Sequence, residues 1–235
     1  MFEFSKELIQ NTIEVWSPKV GYTLSEDEAL EIIYNLTGHF ETLNDIATNI
    51  ENDLTKKLIV EADFKIVGDI DHLVPHEKGL YCIGLRSGSK LPVRYQNELE
   101  QRGSRLVYIG KAEKSLFDRF LKQELRAKGQ GTFFRSVGAM LGYLPLRGSL
   151  KDKRNKKNYK FSKLDESRII DWMNSNLEAN WVTFDGPFLF EKYLIKTHSP
   201  LLNIEHNSNC LQALMTDRSR CRETASRSDY RKSIR

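Results

Sequence analysis

Two short glycine–tyrosine phrases, 27 residues apart, constrain the fold of this chain more than any other feature. Gly79-Leu80-Tyr81 and Tyr108-Ile109-Gly110 each sit in an apolar run of strand type. Each places a glycine where a strand must turn or be approached closely. Gly79 to Leu85 and Leu106 to Gly110 are therefore predicted as two strands. The polar segment between them, Arg86 to Arg105, is long for a hairpin, and connections of that length tend to be functional or mobile.

Two further polar groups stand out downstream. Ser115-Leu116-Phe117-Asp118 is a capping box that starts a helix with Leu116, Phe117, Phe120 and Leu121 toward the core. Arg119 and Gln123 share the opposite side of that helix at i, i+4. A second helix starts near Ser162 and runs through Ile169, Ile170 and Trp172, followed by a strand from Asn180 to Phe184. Asp185-Gly186-Pro187 then opens another helix, which Pro200 stops. On it, Glu191 has Phe188, Leu194 and Ile195 for neighbours. A carboxylate on an apolar face is costly unless paired or metal-bound. Spacing alone leaves both readings open: a lysine or arginine partner inside the fold, or a cation. Two phenols, a guanidinium and one carboxylate are the parts needed to cleave a phosphodiester with a single divalent metal.

At 235 residues with 40% apolar side chains, the chain can bury a sizeable core. No stretch approaches the roughly 18 consecutive apolar residues of a membrane helix. Met1-Phe2-Glu3-Phe4 lacks the regions of a signal peptide. Cys82, Cys210 and Cys221 are odd in number and show no CxxC spacing, which fits a reducing cytoplasm. Together with His198 and His206, the last two form no common zinc pattern. The absence of a GxxxxGK[ST] motif argues against nucleotide hydrolysis.

Charge divides the chain. Residues 1–77 carry 5 Lys/Arg against 16 Asp/Glu, and residues 78–235 carry 31 against 16. Such a split marks units with different partners, and the basic part has the footprint of a nucleic-acid binder. Its densest piece, Arg147 to Lys163, holds eight Lys/Arg and one Asp, with Tyr159 and Phe161 near its end. Lys151, Lys153, Arg154, Lys156 and Lys157, with Arg135 upstream, are the candidate DNA contacts. A solvated loop is the plainer reading of such a run.

The acidic part reads as helical. Ser25-Glu26-Asp27-Glu28 is a capping box, and Ala29, Ile32, Ile33, Leu36 and Phe40 recur at helical spacing. Ile46, Ile50, Leu54 and Leu58 form a second stripe. Two helices alone make a poor core, so these stripes are expected to dock on the basic unit, a second subunit or a protein partner. The expected organisation is an acidic helical extension at 1–77, a catalytic domain at 78–205 and a basic tail at 206–235. In that tail Leu211, Leu214 and Cys221 are spaced amid Arg218, Arg220 and Arg222, as in a short helix that lies on phosphates or closes a dimer.

Taken together, Gly79-Leu80-Tyr81, Tyr108-Ile109-Gly110-Lys111, Arg119, Glu191 and Asn203 resemble the GIY-YIG nuclease family. The last two lie in a segment similar to that family's C-terminal signature of Glu, then Leu194-Ile195, then Pro200 and Asn. The resemblance covers roughly residues 78–205. Phe133 to Ser136, Gly142-Tyr143 and Asn158 to Ser162 look like a bacterial subgroup. It implies an α+β fold: a small three-stranded antiparallel sheet flanked by helices, with both tyrosines on adjacent strands. It also implies DNA cleavage with Mg²⁺ or Mn²⁺ held mainly by Glu191.

Family members include homing endonucleases, type II restriction enzymes and the incising subunit of excision repair. A restriction-like role implies a homodimer, and a repair-like nickase a monomer. Lys111 is similar to the lysine of the repair nucleases. Gln123 departs from the pattern, because many members carry His or Tyr there and glutamine cannot shuttle a proton. On this resemblance Arg119 clamps the phosphate, Tyr81 is favoured as base, Tyr108 orients water or phosphate, and Asn203 fixes the loop beneath the glutamate. A non-catalytic DNA-binding module on the same scaffold is the alternative.

Overall fold

The computed structural model describes residues 4–60, 63–151, 153–186 and 189–227. Two compact units, residues 1–53 and 54–235, make up the chain. Among the described residues, no helix is long and apolar enough to cross a membrane. Pro187 and Phe188, expected at the start of the glutamate's helix, lie outside the described residues.

The first unit begins with helix α1 (Lys6–Val20), which the sequence analysis did not anticipate. The Ser5 hydroxyl caps it by accepting a 3.2 Å bond from the Leu8 amide. Helix α2 (Glu26–Thr55) opens on the predicted capping box. Ser25 Oγ accepts from the Glu28 amide at 3.2 Å, and the Glu28 carboxylate accepts from the Ser25 amide at 2.8 Å. Most of the two predicted apolar stripes lies on this one helix. Gly38 stays helical, at a cost of about 1 kcal/mol relative to alanine. Leu36, Phe40, Leu43 and Ile46 are exposed along it.

The second unit holds a four-stranded antiparallel sheet in the order β1-β4-β2-β3. Strands β2 (Gly79–Leu85), β3 (Leu106–Ala112) and β4 (Leu177–Thr183) are the expected three. The two-residue β1 (Lys65–Ile66) adds a fourth against β4. Every residue of β2 is buried, which explains its unbroken apolar run: a central strand covered on both faces has no solvent side to alternate with. Val67, Ile70 and Val74 join the same core as Tyr81, Ile83 and Phe120. The packing boundary at 53/54 therefore falls ahead of the charge boundary at 77/78, since these apolar residues cover the sheet whatever the charges between them.

Between β2 and β3, the expected long polar connection contains helix α3 (Val93–Gln101). Tyr95 and Leu99, one turn apart, are its two buried residues. The predicted helix after Ser115 forms as a π-helix, Phe117–Leu125, with the Asp118 amide bonded to Ser115 Oγ at 3.0 Å. Helix α4 (Thr132–Met140) is buried from Phe133 to its end. Helix α5 (Lys163–Asn176) starts at the predicted Ser162 cap. Helix α6 (Leu189–His198) carries Glu191 in its first turn. The last helix, α7 (Gln212–Ser226), packs on α4, with Leu214, Cys221 and Ala225 buried. Part of the segment expected as a basic tail, with a short helix on phosphates or at a dimer interface, thus contributes Leu214, Cys221 and Ala225 to the unit's core.

Candidate active site

The sheet register sets the site. Tyr81 on β2 stands directly opposite Gly110 on β3, and Ile83 stands opposite Tyr108. Side chains alternate along a strand, so Tyr81 and Tyr108 project from the same face. Their rings lie 6.3 Å apart, centroid to centroid. The Tyr81 ring crosses the backbone of its partner strand, and a Cβ at position 110 would come within 2.4 Å of its hydroxyl. The glycine of the second phrase is therefore the space into which the tyrosine of the first phrase reaches. Phe120 stacks on the other side of the Tyr81 ring at 4.5 Å and fixes it.

Below the tyrosines, the π-helix presents Arg119. Its Nη1 donates to Gln123 Oε1 at 2.9 Å, and its Nη2 lies 2.7 Å from Oε1 of Glu124. Hydrogen bonds from i to i+5 widen the turn, and this brings residue i+5 onto the face of residue i. The Glu124 carboxylate is fully buried. It also accepts from the amides of Phe133, at 2.8 Å, and Phe134 at the start of α4. Gly131 makes that approach possible, because a Cβ there would meet Glu124 Oε2 at 2.1 Å. Burial pushes the Glu124 carboxyl upward, opposed by Arg119 and the two amides. Burial also works against the Arg119 charge. Glu124, both tyrosines and Glu191 outweigh it, so the guanidinium is held more firmly protonated than usual.

Glu191 completes the wall. Burial raises its carboxyl above the ordinary range, against the pull of Lys111 and Arg119. Lys111 Nζ lies 3.8 Å from Glu191 Oε2 and 2.8 Å from Glu113 Oε1. Both readings of an inward glutamate therefore meet here: a lysine stands beside it, and it opens on a cavity. Tyr81, Tyr108, Lys111, Arg119, Gln123 and Glu191 all line one pocket of about 500 Å³.

Burial drives both phenols to protonation constants well above the ordinary tyrosine value, and Arg119 opposes it in each case. Both are neutral in the free protein. The Tyr81 hydroxyl is buried and has no hydrogen-bond partner among the described residues. A buried donor without an acceptor costs about 1–3 kcal/mol, and this one lies at the wall of that 500 Å³ pocket.

Asn203 is buried at the outer edge of the sheet. Its Oδ1 accepts from the Ile109 amide and its Nδ2 donates to the Ile109 carbonyl, each at 2.9 Å. One side chain thereby supplies both bonds that a further strand would give, at the residue between Tyr108 and Gly110. Leu201 and Leu202 continue the pairing through their amides to Leu106 and Val107.

The predicted DNA contacts are spread out. Arg135 is buried on α4, and Lys157 lines a groove that adjoins the pocket. Lys151, Lys153 and Arg154 are exposed on the same loop as Lys157. The Lys156 ammonium bonds to the carbonyls of Leu150 and Lys151. Tyr159 and Phe161 are core side chains in edge contact at 5.6 Å. Sequence reading missed Glu124. Its only local signal is an acid one position past Gln123 in an apolar helix, and its partners come from a helix that starts eight residues later.

An antiparallel sheet that brings two tyrosines, an arginine and a glutamate to one pocket defines a domain of the nuclease class. The GIY-YIG catalytic domain family matches residues 79–224, more than half of the chain. The chain belongs to that family. Comparisons with curated proteins and with solved structures give no match.

Proposed function

We propose that this protein is a divalent-metal-dependent endonuclease that hydrolyses phosphodiester bonds in DNA. The observation that carries the proposal is the orphaned Tyr81 hydroxyl, which shares one pocket with Arg119 and Glu191. Among the described residues no group of three or more His, Cys, Asp or Glu is poised to hold an ion. The donor set is one mostly buried carboxylate, Glu191, with the more exposed Glu113 and Asp118 also lining the pocket. It fits a hard cation that keeps most of its shell as water and substrate oxygen, and not an all-protein cage. Glu191 would hold that Mg²⁺ or Mn²⁺, which supplies neutralisation of charge on the phosphate and the leaving oxygen.

The chain's own groups do the rest. Arg119, fixed from behind by Gln123 and Glu124, offers its forked donors to the scissile phosphate. Tyr81 orients the attacking water and takes its proton. For that, the phenol must first give its own proton to solvent in the open pocket as the substrate complex assembles, and the Arg119 charge already acts in that direction. Tyr108 orients water or phosphate. Lys111 sits beside Glu191 as a second cation toward the developing charge. Asn203 acts through β3, holding Ile109 between Tyr108 and Gly110. Gln123 serves as a hydrogen-bond acceptor for Arg119, a role that needs no proton transfer. Three free cysteines fit a reducing cytoplasm as the place of action.

The alternative is a DNA-binding module that retains the nuclease shell without turnover. Purified protein incubated with supercoiled plasmid separates the two. The nuclease reading predicts nicked or linear product with Mg²⁺ or Mn²⁺ and none with EDTA. Binding without cleavage under every metal condition would assign the module instead.

A further inference from the structure

Beside the catalytic pocket runs a larger groove of about 1070 Å³, whose wall includes Tyr108, Arg119 and Glu191 and continues to Arg135 and Arg218. Arg135 comes from α4 and Arg218 from α7. Each residue is 7% exposed, so both are more than nine-tenths buried. Neither makes an ion pair among the described residues, and each Nε has no hydrogen-bond partner there. Their other ends are anchored. Arg135 Nη1 donates to the Gln130 carbonyl, and Arg218 Nη1 donates to Ser136 Oγ at 3.2 Å. The Arg135 guanidinium also sits over the Tyr159 ring at 6.0 Å.

Two buried cations with unused donors are costly. Removing such charges from water is unfavourable unless a counter-charge is supplied. Burial and the neighbouring Arg218 both depress the Arg135 guanidinium, with burial the larger cause. Glu124 is the anion in reach of Arg135, and it already pairs with Arg119 and accepts from two amides. An excess of positive charge therefore faces the groove with its orientation fixed.

We propose that Arg135 and Arg218 form a second anion subsite, which grips a non-scissile backbone phosphate of the nucleic acid while the scissile one sits among Tyr81, Arg119 and Glu191. This rests on the nuclease reading for the identity of the polyanion. The chemistry of the subsite is that of any phosphate oxygen: planar donors held in place, with no base edge to read. Lys157, Lys192 and Arg222 line the same groove, where a backbone entering or leaving the subsite would run.

The test measures affinity for a duplex oligonucleotide in EDTA, by fluorescence anisotropy, across a range of salt concentrations. It compares wild type, Arg135→Gln, Arg218→Gln and the double variant. Each phosphate neutralised contributes a slope of about −0.9 to log K against log salt. The expected result is a roughly tenfold loss of affinity in each single variant and a loss of about one phosphate's slope. The double variant should be little worse than either, because the two residues share one phosphate. Unchanged slope and affinity in folded variants would overturn the subsite. Should the variants fail to fold, wild-type crystals soaked in tungstate decide: anomalous density bridging the two guanidiniums supports the subsite, and its absence there rejects it. Neither measurement needs turnover. Plasmid cleavage with an unaltered salt slope would reject the subsite alone, and a changed slope without cleavage would reject the nuclease reading alone.

Discussion

Arg119 and Glu124, five residues apart in one helical stretch, form an ion pair at 2.7 Å. In an α-helix those positions would point about 140° apart. The π-helical turn brings them to one face, and Gln123 joins from i+4. Bulges of this kind recur at functional sites because they aim a side chain that regular geometry would turn away. Here the aimed group is a guanidinium, and its anchor is a carboxylate capping the next helix.

Replacing Glu124 with glutamine keeps the shape and removes the charge. Misplacing a substrate-clamping group by about 1 Å costs roughly 10²-fold in rate. Glu124→Gln should therefore lower kcat by about that factor and leave DNA affinity near the wild-type value. Single-turnover cleavage together with anisotropy in EDTA checks both halves.

The Tyr81 hydroxyl is a cost to the folded protein that its chemistry offsets only in the substrate complex. Tyr81→Phe should abolish cleavage and yet stabilise the protein, by up to about 1–3 kcal/mol. For a chain of this size that is roughly 2–4 °C of melting temperature per kcal/mol. Calorimetry on the free protein is the check. A lower melting temperature would mean that the hydroxyl has a structural partner.

Gly110 is the space the Tyr81 ring occupies. Gly110→Ala forces the ring aside, because the new Cβ would meet both Cζ and the hydroxyl at 2.4 Å. Overpacking of this kind costs about 1–3 kcal/mol. Chemical denaturation should show that loss, and cleavage should fall with it.

Alkaline pH should act through the buried phenols. Burial raises Tyr81, Tyr95, Tyr108 and Tyr159 above the value they have in the unfolded chain. A group with a raised folded value binds its proton more tightly in the fold. Its contribution is fully present below the ordinary tyrosine value of about 10 and is lost as pH rises above it. Melting temperature should thus fall steeply above about pH 10, and phenolate absorbance for these four should appear together with unfolding.

The parts of this fold that were legible in the sequence rest on local chemistry. Ser25 with Glu28 and the Ser162 cap act within four residues, so their helices could be read directly. The two tyrosine phrases were legible because a fully buried central strand leaves an unbroken apolar run. Helix α3 was not, since Tyr95 and Leu99 are its only buried positions and two residues make no periodicity. The two stripes of α2 read as separate helices because Gly38 and Thr42 to Asn44 interrupt the apolar spacing, and a lone helical glycine is a modest penalty that a 30-residue helix absorbs. Arg119 and Glu191 could be singled out from motif and helix face. Glu124 could not, because its meaning lies in the Phe133 and Phe134 amides and in a π turn that no spacing announces. Arg218 was visible only as one basic residue among three. Its burial against α4 is a tertiary fact.

The central claim is that Glu191 and Arg119 serve one catalytic centre together with the Tyr81 hydroxyl. Its most direct test is the single-turnover cleavage rate of Glu191→Gln with Mn²⁺, measured beside wild type on DNA that both bind equally. The account predicts no product above the EDTA background in the variant, with its fold and DNA affinity intact. Cleavage at the wild-type rate by the purified variant would contradict it.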